Sequence, residues 1–252
     1  MRNPEPSGEP AAGRKVEIFR ALHLRRSPGD PLVLPGPWDA ASARALAEAG
    51  FPALATPSAG VAAALGYADG ETPADEMYAA VARIARAVDV PVSADIESGY
   101  GLAPEELVER LLEAGAVGCN LEDSVAGSLK NPHEQADWLA AVRSAAGDEL
   151  FVNARVDTFL RGDTDPAAAI ERGAAYVAAG ADCVYPIMAP VHLIPQLRSG
   201  IPGPLNVLGR LDRDSPPPTE LSRLGATRIT FGPGLHQSAD AALRRIAGGL
   251  VR

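Results

Sequence analysis

Positive charge is in deficit in this chain of 252 residues: 23 Lys and Arg stand against 32 Asp and Glu, for a net charge of −9. Such a surface repels nucleic acid and anionic membrane, so neither is an expected partner. Cysteine is nearly absent. Cys119 and Cys183 lie in apolar stretches of different segments, which excludes a disulfide framework, makes both expected core thiols and points to a reducing cytoplasm. No apolar run has the length of a membrane span, so a soluble protein is expected. Residues 1–14 are rich in Pro, Gly, Glu and Ser and hold no apolar segment, and they read as a flexible tail rather than a signal peptide. Aromatic residues make up only 5% against 46% hydrophobic residues, so the core has to be built from Ala, Val, Leu and Ile.

After the tail, a short helix is expected at 15–24, and then short apolar runs alternate with Ala-rich helical stretches. The runs read as strands are 32–34, 53–56, 92–96, 118–122, 151–155, 183–187, 205–208 and 228–232. Helices are expected at 40–49, 74–87, 104–114, 135–146, 166–179, 191–197, 218–224 and 239–247. Eight strands, each followed by a helix, predict a single-domain α/β protein, a (β/α)8 TIM barrel over residues 15–252. Ala49-Gly50-Phe51, Ala114-Gly115-Ala116, Ala179-Gly180-Ala181 and Leu224-Gly225-Ala226 echo one another before every second strand, each with a glycine suited to a helix C-cap. An open doubly wound sheet is the rival architecture. No Gly-x-Gly-x-x-Gly or phosphate loop follows the first strand to support it.

Polar residues gather where a barrel keeps its active site, at the C-terminal ends of the strands. The third strand ends Asp95-Ile96-Glu97, the fourth Asn120-Leu121-Glu122-Asp123, and the fifth Asn153-Ala154-Arg155-Val156-Asp157. Side chains alternate along a strand, so Asp95 shares a face with Glu97, Asn120 with Glu122, and Asn153 with Arg155. Asn206 stands between apolar neighbours in the seventh strand. Asp95, Glu97 and Glu122 at one mouth repel unless a cation sits among them, and hard oxygen ligands without His or Cys point to Mg2+ or Mn2+. A buried ion-pair network with Arg155 is the competing explanation. Arg155 is suited to hold a small carboxylate substrate bidentately. Ser58, Ala59 and Gly60 after the second strand offer backbone N–H groups for an anion, or form a plain loop. Asp123 and Asp157 read equally as salt-bridging or helix-capping residues and as substrate contacts, Asp39 as an N-cap, and His23 and His236 as structural or surface residues. Lys130 and His133 lie in the loop after the fourth strand.

Five segments in order resemble the isocitrate lyase/phosphoenolpyruvate mutase superfamily. They are Pro37-Trp38-Asp39-Ala40-Ala41-Ser42-Ala43, Ser58-Ala59-Gly60-Val61 with Leu65-Gly66-Tyr67-Ala68-Asp69-Gly70, Ser93 to Gly101, Asn120-Leu121-Glu122-Asp123, and Asn153 to Asp157. The resemblance implies an enzyme that uses a divalent metal to act on 2-oxo or 2-hydroxy acids, or on enolpyruvyl compounds, through an enolate. It makes Asp95 the direct metal ligand, with Asp69, Glu97 and Glu122 holding the ion through waters. Arg155 and the Ser58–Gly60 backbone would bind the substrate, with Asn153 and Asn206 as further contacts; Arg155, Glu122 and Asp69 form the catalytic set. Glu122, Lys130, Tyr67 and a metal-bound water all stand as proton donors. A homo-oligomer, dimer or tetramer, is also implied.

Two departures narrow the reading. The superfamily's lyases carry a Lys-Lys-Cys-Gly-His loop, but residues 124–132 here contain no cysteine. Its mutases carry an Asp-Lys-x-x-Pro-Lys-x-Asn-Ser lid and a histidine after the sixth strand; here only Lys130-Asn131 and Tyr185-Pro186-Ile187-Met188 occupy those places. The expectation is a carbon–carbon lyase of small di- or tricarboxylic acids. Phosphonomutase-type P–C chemistry and a non-catalytic acid-metabolite binder are its rivals.

Overall fold

The computed structural model describes residues 11–24, 27–212 and 214–251. In chain order its elements are α1 (Ala11–Leu24), β1 (Leu32–Leu34), α2 (Ala40–Glu48), β2 (Leu54–Ala55), α3 (Ser58–Leu65), α4 (Ala74–Arg86) and β3 (Val92–Asp95). There follow α5 (Pro104–Glu113), β4 (Gly118–Leu121), a hairpin of β5 (Ser124–Val125) and β6 (Ser128–Leu129), α6 (Pro132–Ala146) and β7 (Phe151–Val156). The chain ends with α7 (Pro166–Ala178), β8 (Cys183–Pro186), α8 (Ile194–Gly200), β9 (Asn206–Leu208), α9 (Pro218–Leu224), β10 (Arg228–Thr230) and α10 (Gly234–Leu250).

Eight of these strands are parallel and lie in two arcs, β2-β3-β4-β7-β8 and β1-β10-β9. A parallel bridge between Val184 and Leu205 joins β8 to β9. On the other side the Ala55 N–H donates to the Pro35 carbonyl at 3.2 Å, joining β2 to the end of β1. The ring therefore closes as a TIM-type barrel rather than an open sheet. The expected echo is real: at all four sites the residue after the glycine donates its N–H five residues back, Phe51 to Leu46, Ala116 to Leu111, Ala181 to Tyr176 and Ala226 to Leu221. Each glycine has positive φ, between 77° and 126°. These Schellman caps end a helix and aim the chain into the next strand.

Because α1 crosses the N-terminal end of the barrel, that end is sealed. Phe19 and Val16 pack there with Leu32, Leu34 and Phe151, and His23 stacks on Phe151 at 4.0 Å. Outside the ring, Leu and Val from the helices pack on the strands, while Cys119 and Cys183 are buried free thiols pushed up to about 12 by burial. The expected small-residue aliphatic core is thus the core observed.

The differences from expectation are local. The tail expected at 1–14 lies outside the described residues as far as residue 10, and α1 already begins at Ala11. Residues 58–65 form a helix where a loop or nest was expected; being Ala- and Gly-rich with small residues buried around it, the segment lacks an amphipathic period. The helix α6 starts at Pro132, three residues early, because Asn131 accepts from the His133 and Glu134 N–H groups and caps it. The two-residue strands β5 and β6 were not anticipated either, being too short to show alternation. Among the described residues no helix is long and apolar enough to cross a membrane.

Candidate active site

A cavity of about 780 Å3 opens at the C-terminal end of the barrel. Asp69, Asp95, Glu97, Glu122 and Arg155 all line it, as do Ser58 and Ala59. Asp95 is the last residue of β3. Its Oδ2 accepts from the Ser58 hydroxyl at 3.0 Å and from the Ser58 N–H at 3.3 Å, so the N-terminus of α3 points at the carboxylate. Its backbone N–H donates to Thr56 Oγ1 at 3.1 Å.

Glu97 reaches the cavity by a route that strand alternation does not describe. The strand ends at Asp95, and Glu97 sits at φ 54°, a left-handed conformation uncommon for a residue with a Cβ. Such strain is tolerated where the surroundings fix it and concentrates at functional sites. One ladder bond continues past the strands, from the Glu122 N–H to the Glu97 carbonyl at 2.8 Å, and holds the two carboxylates on adjacent loops.

Arg155, near the end of β7, is buried and held on two sides. One Nη1 hydrogen goes to Glu122 Oε1, while Nε donates to Asp157 Oδ1 at 3.1 Å and Nη2 forms an ion pair with the same oxygen at 3.0 Å. Asp157 accepts in turn from the Ser124 hydroxyl, and its N–H donates to Asp123 Oδ1 at 2.8 Å. Asp123 is closed off by Tyr176 at 2.8 Å and Arg172 at 3.0 Å. Of the roles open to Asp123 and Asp157, the ion pair is the one observed. Burial alone would lower the Arg155 guanidinium, but the Asp95, Asp157 and Glu122 carboxylates outweigh it and hold it above its ordinary value. Burial raises the Glu122 carboxyl, and the Arg155 contact works against that rise.

The ion-pair explanation accounts for Glu122 but leaves charge over. Asp69 and Glu97 both sit above the usual carboxylate range, first through burial and then through the charge of Asp95. Asp95 Oδ1 and Glu97 Oε1 are buried without a hydrogen-bond partner. Buried acceptors of this kind are costly unless a ligand meets them. An all-oxygen donor set with surplus negative charge fits a hard divalent cation. Among the described residues, no three His, Cys, Asp or Glu side chains converge closely enough to grip one ion directly.

Other expected site residues fall elsewhere. Asn153 and Asn206 are fully buried inside the barrel and do not line the cavity. Asn153 Nδ2 donates to Asn120 Oδ1 at 2.8 Å, and Asn206 Oδ1 accepts from Thr230 at 3.3 Å. Shared strand face was a correct reading for Asn153, but its place two residues below Arg155 puts it a layer beneath the mouth. Gly60 is also off the lining, packed against Pro57 and His236. Lys130 lies over the Trp138 ring at 5.0 Å, His133 is in the first turn of α6, and Tyr67 bonds Glu76; none lines the cavity. Asp39 caps α2 as expected, in a capping box with Ser42. Sequence reading passed over Tyr185 and Arg161, which line the cavity, as do Val125 to Gly127 of the loop after the fourth strand.

This geometry has relatives. The chain matches the phosphoenolpyruvate phosphomutase family over residues 19–251. An uncharacterized protein of Mycobacterium tuberculosis is 35% identical over 235 residues, covering 89% of this chain and 87% of its own length. The 2-methylisocitrate lyase of Bacillus subtilis is 33% identical over 196 residues, covering 73% of this chain and 62% of the lyase. Among solved structures, a Burkholderia cenocepacia J2315 protein provisionally described as a phosphonomutase superposes with a TM-score of 0.86 at 41% identity, covering 94% of this chain and 99% of that one.

Proposed function

Because this chain belongs to the phosphoenolpyruvate phosphomutase family, we propose that it is a carbon–carbon lyase. Its cofactor is Mg2+ or Mn2+, and its substrate is a small 2-oxo or 2-hydroxy di- or tricarboxylic acid cleaved through an enolate. The observation that carries this reading is the meeting of Asp69, Asp95, Glu97, Glu122 and Arg155 on one cavity, with buried carboxylate oxygens left over.

Asp95 would hold the metal directly, and Asp69, Glu97 and Glu122 through water. The ion would act as a Lewis acid for the negative charge of the enolate. The remaining work falls to the chain. A guanidinium has five N–H donors, so Arg155 keeps hydrogens for a substrate carboxylate after meeting Glu122 and Asp157. Held on both sides, it presents them in a fixed direction. For a 2-hydroxy acid, the hydroxyl proton leaves, the carbon–oxygen double bond forms, and the electron pair of the breaking C–C bond passes to the carboxylate-bearing fragment as an enolate. Protonation of that enolate completes the reaction. Of the two carboxylates that touch Arg155, Glu122 is the one that lines the cavity, and we assign it the proton traffic. Tyr67 and Lys130, being off the cavity, are less suited to that role.

The lack of a cysteine in residues 124–132 speaks against isocitrate cleavage itself, and the lack of the lysine lid and strand-six histidine speaks against P–C bond formation. The test is a turnover panel of oxaloacetate, substituted malates, isocitrate, methylisocitrate and phosphoenolpyruvate on the Mg2+-loaded protein, with products identified by proton and phosphorus NMR. Metal-dependent C–C cleavage of one acid is expected. A phosphonate product would replace this reading with the mutase one, and binding without turnover on every acid would replace it with a metabolite binder.

A further inference from the structure

Arg161 closes a 3-10 turn, Phe159–Arg161, just after β7, and its side chain lines the same cavity as Arg155. The two arginines are differently employed. Arg155 is engaged by Glu122 and Asp157, whereas among the described residues Arg161 has no carboxylate partner. Its one side-chain hydrogen bond runs from Nη2 to the neutral Ser124 hydroxyl at 3.0 Å. Arg20, Arg110, Arg143, Arg172 and Arg244, by contrast, all pair with Asp or Glu.

The position is built rather than incidental. Ser124 hands its own proton to Asp157, and Asp157 holds Arg155, so one chain of contacts, Arg161–Ser124–Asp157–Arg155, fixes both guanidinium groups on one cavity wall. The β5–β6 turn stands beside Arg161, which remains exposed: a Cβ added at Gly127 would lie 4.0 Å from Arg161 Nη1. Val125, Leu160 and Met188 line the same cavity as exposed apolar side chains. The cavity carries four carboxylates, more negative charge than Arg155 and one divalent ion together offset, so a second anionic group on the substrate gains from a further cation.

We infer that Arg161 binds the second acid group of the substrate and so selects acids with two or more carboxylates over monocarboxylates. This rests on the reading above that the cavity takes a small acid against Arg155. The test is calorimetric titration of the Mg2+-loaded full chain with malate and with lactate, which share a 2-hydroxy acid end and differ in the second carboxylate. Wild type should bind malate at least about 10-fold more tightly than lactate, since a charge-assisted hydrogen bond is worth roughly 1.5–3 kcal/mol. Arg161→Gln should erase that preference and leave lactate unchanged, with Arg161→Lys intermediate. Should Arg161→Gln fold poorly by circular dichroism, Arg161→Met, which keeps the apolar stem and removes the charge, serves in its place, and the same loss of malate preference is expected. No malate preference in wild type, or an equal preference in the variants, overturns the inference. Preference that follows Arg161 with no acid cleaved would sink the lyase reading alone; cleavage with a preference indifferent to Arg161 would sink this inference alone.

Discussion

Arg155 shows how much of a site can hang on the neighbours of one side chain. Asp157 and Glu122 fix the plane of its guanidinium, as the proposed grip on a substrate carboxylate requires, and Asp157 is fixed by Ser124 and the Asp123 carboxylate. Lysine keeps the charge but loses the planar fork. Arg155→Lys should therefore raise KM for the cleaved acid about 10-fold or more, in keeping with roughly 1.5–3 kcal/mol for a charged hydrogen bond, as steady-state kinetics at saturating Mg2+ would show. The carboxylates allow a second expectation. Asp69 and Glu97 are held above their ordinary values by burial and by Asp95, so protons compete with the metal at higher pH than for free carboxylates. Metal affinity should weaken as pH falls, beginning above the usual carboxylate range; a Mn2+ titration at stepped pH with no such fall would contradict it. These residues were legible because ionisable groups at strand ends have few bland explanations. Arg161 was not legible, since an arginine on an exposed turn looks like any solvated one until the fold lays it over the cavity.

At the scale of elements, what could be read was what repeats. Short apolar runs marked the eight barrel strands, and the four glycines before alternate strands marked the caps that return the chain to the ring. Elements without period or length escaped: α3, whose small residues are buried around much of its surface, and the β5–β6 hairpin. Register also matters to the substitutions a strand accepts. Gly118 in β4 lies so close to its neighbours that an added Cβ would stand 2.8 Å from the Phe151 carbonyl oxygen and 3.2 Å from Phe19 Cε1. The first of these is backbone of the adjacent strand and cannot rotate away. Gly118→Ala should destabilise the fold by about 1–3 kcal/mol through overpacking, measured as a lower urea midpoint with an unchanged slope; an unchanged midpoint would show that β4 and β7 shift apart freely.

For the whole molecule, the barrel separates stability from chemistry. Its N-terminal end is plugged by α1 around Phe19 and Phe151, while its C-terminal end gathers acidic groups that repel one another. A ligand that binds the folded state alone stabilises it by mass action, by about 2.7 kcal/mol at a hundredfold excess over its dissociation constant. Mg2+ should accordingly raise Tm, and the rise should vanish in Asp95→Ala; a Tm insensitive to Mg2+ would mean that the carboxylates relieve their repulsion by protonation instead. The fold class was open to sequence reading because eight βα repeats constrain topology strongly. The occupant of the cavity was not, because lining residues come from loops whose course depends on all eight strands. The claim on which everything else depends is that Asp95 holds a divalent ion in this cavity. Titrating the protein with Mn2+ and following free Mn2+ by electron paramagnetic resonance tests it most directly. One ion should be taken up per chain by wild type and none at that site by Asp95→Ala with its fold intact; uptake by the variant equal to wild type would contradict the account.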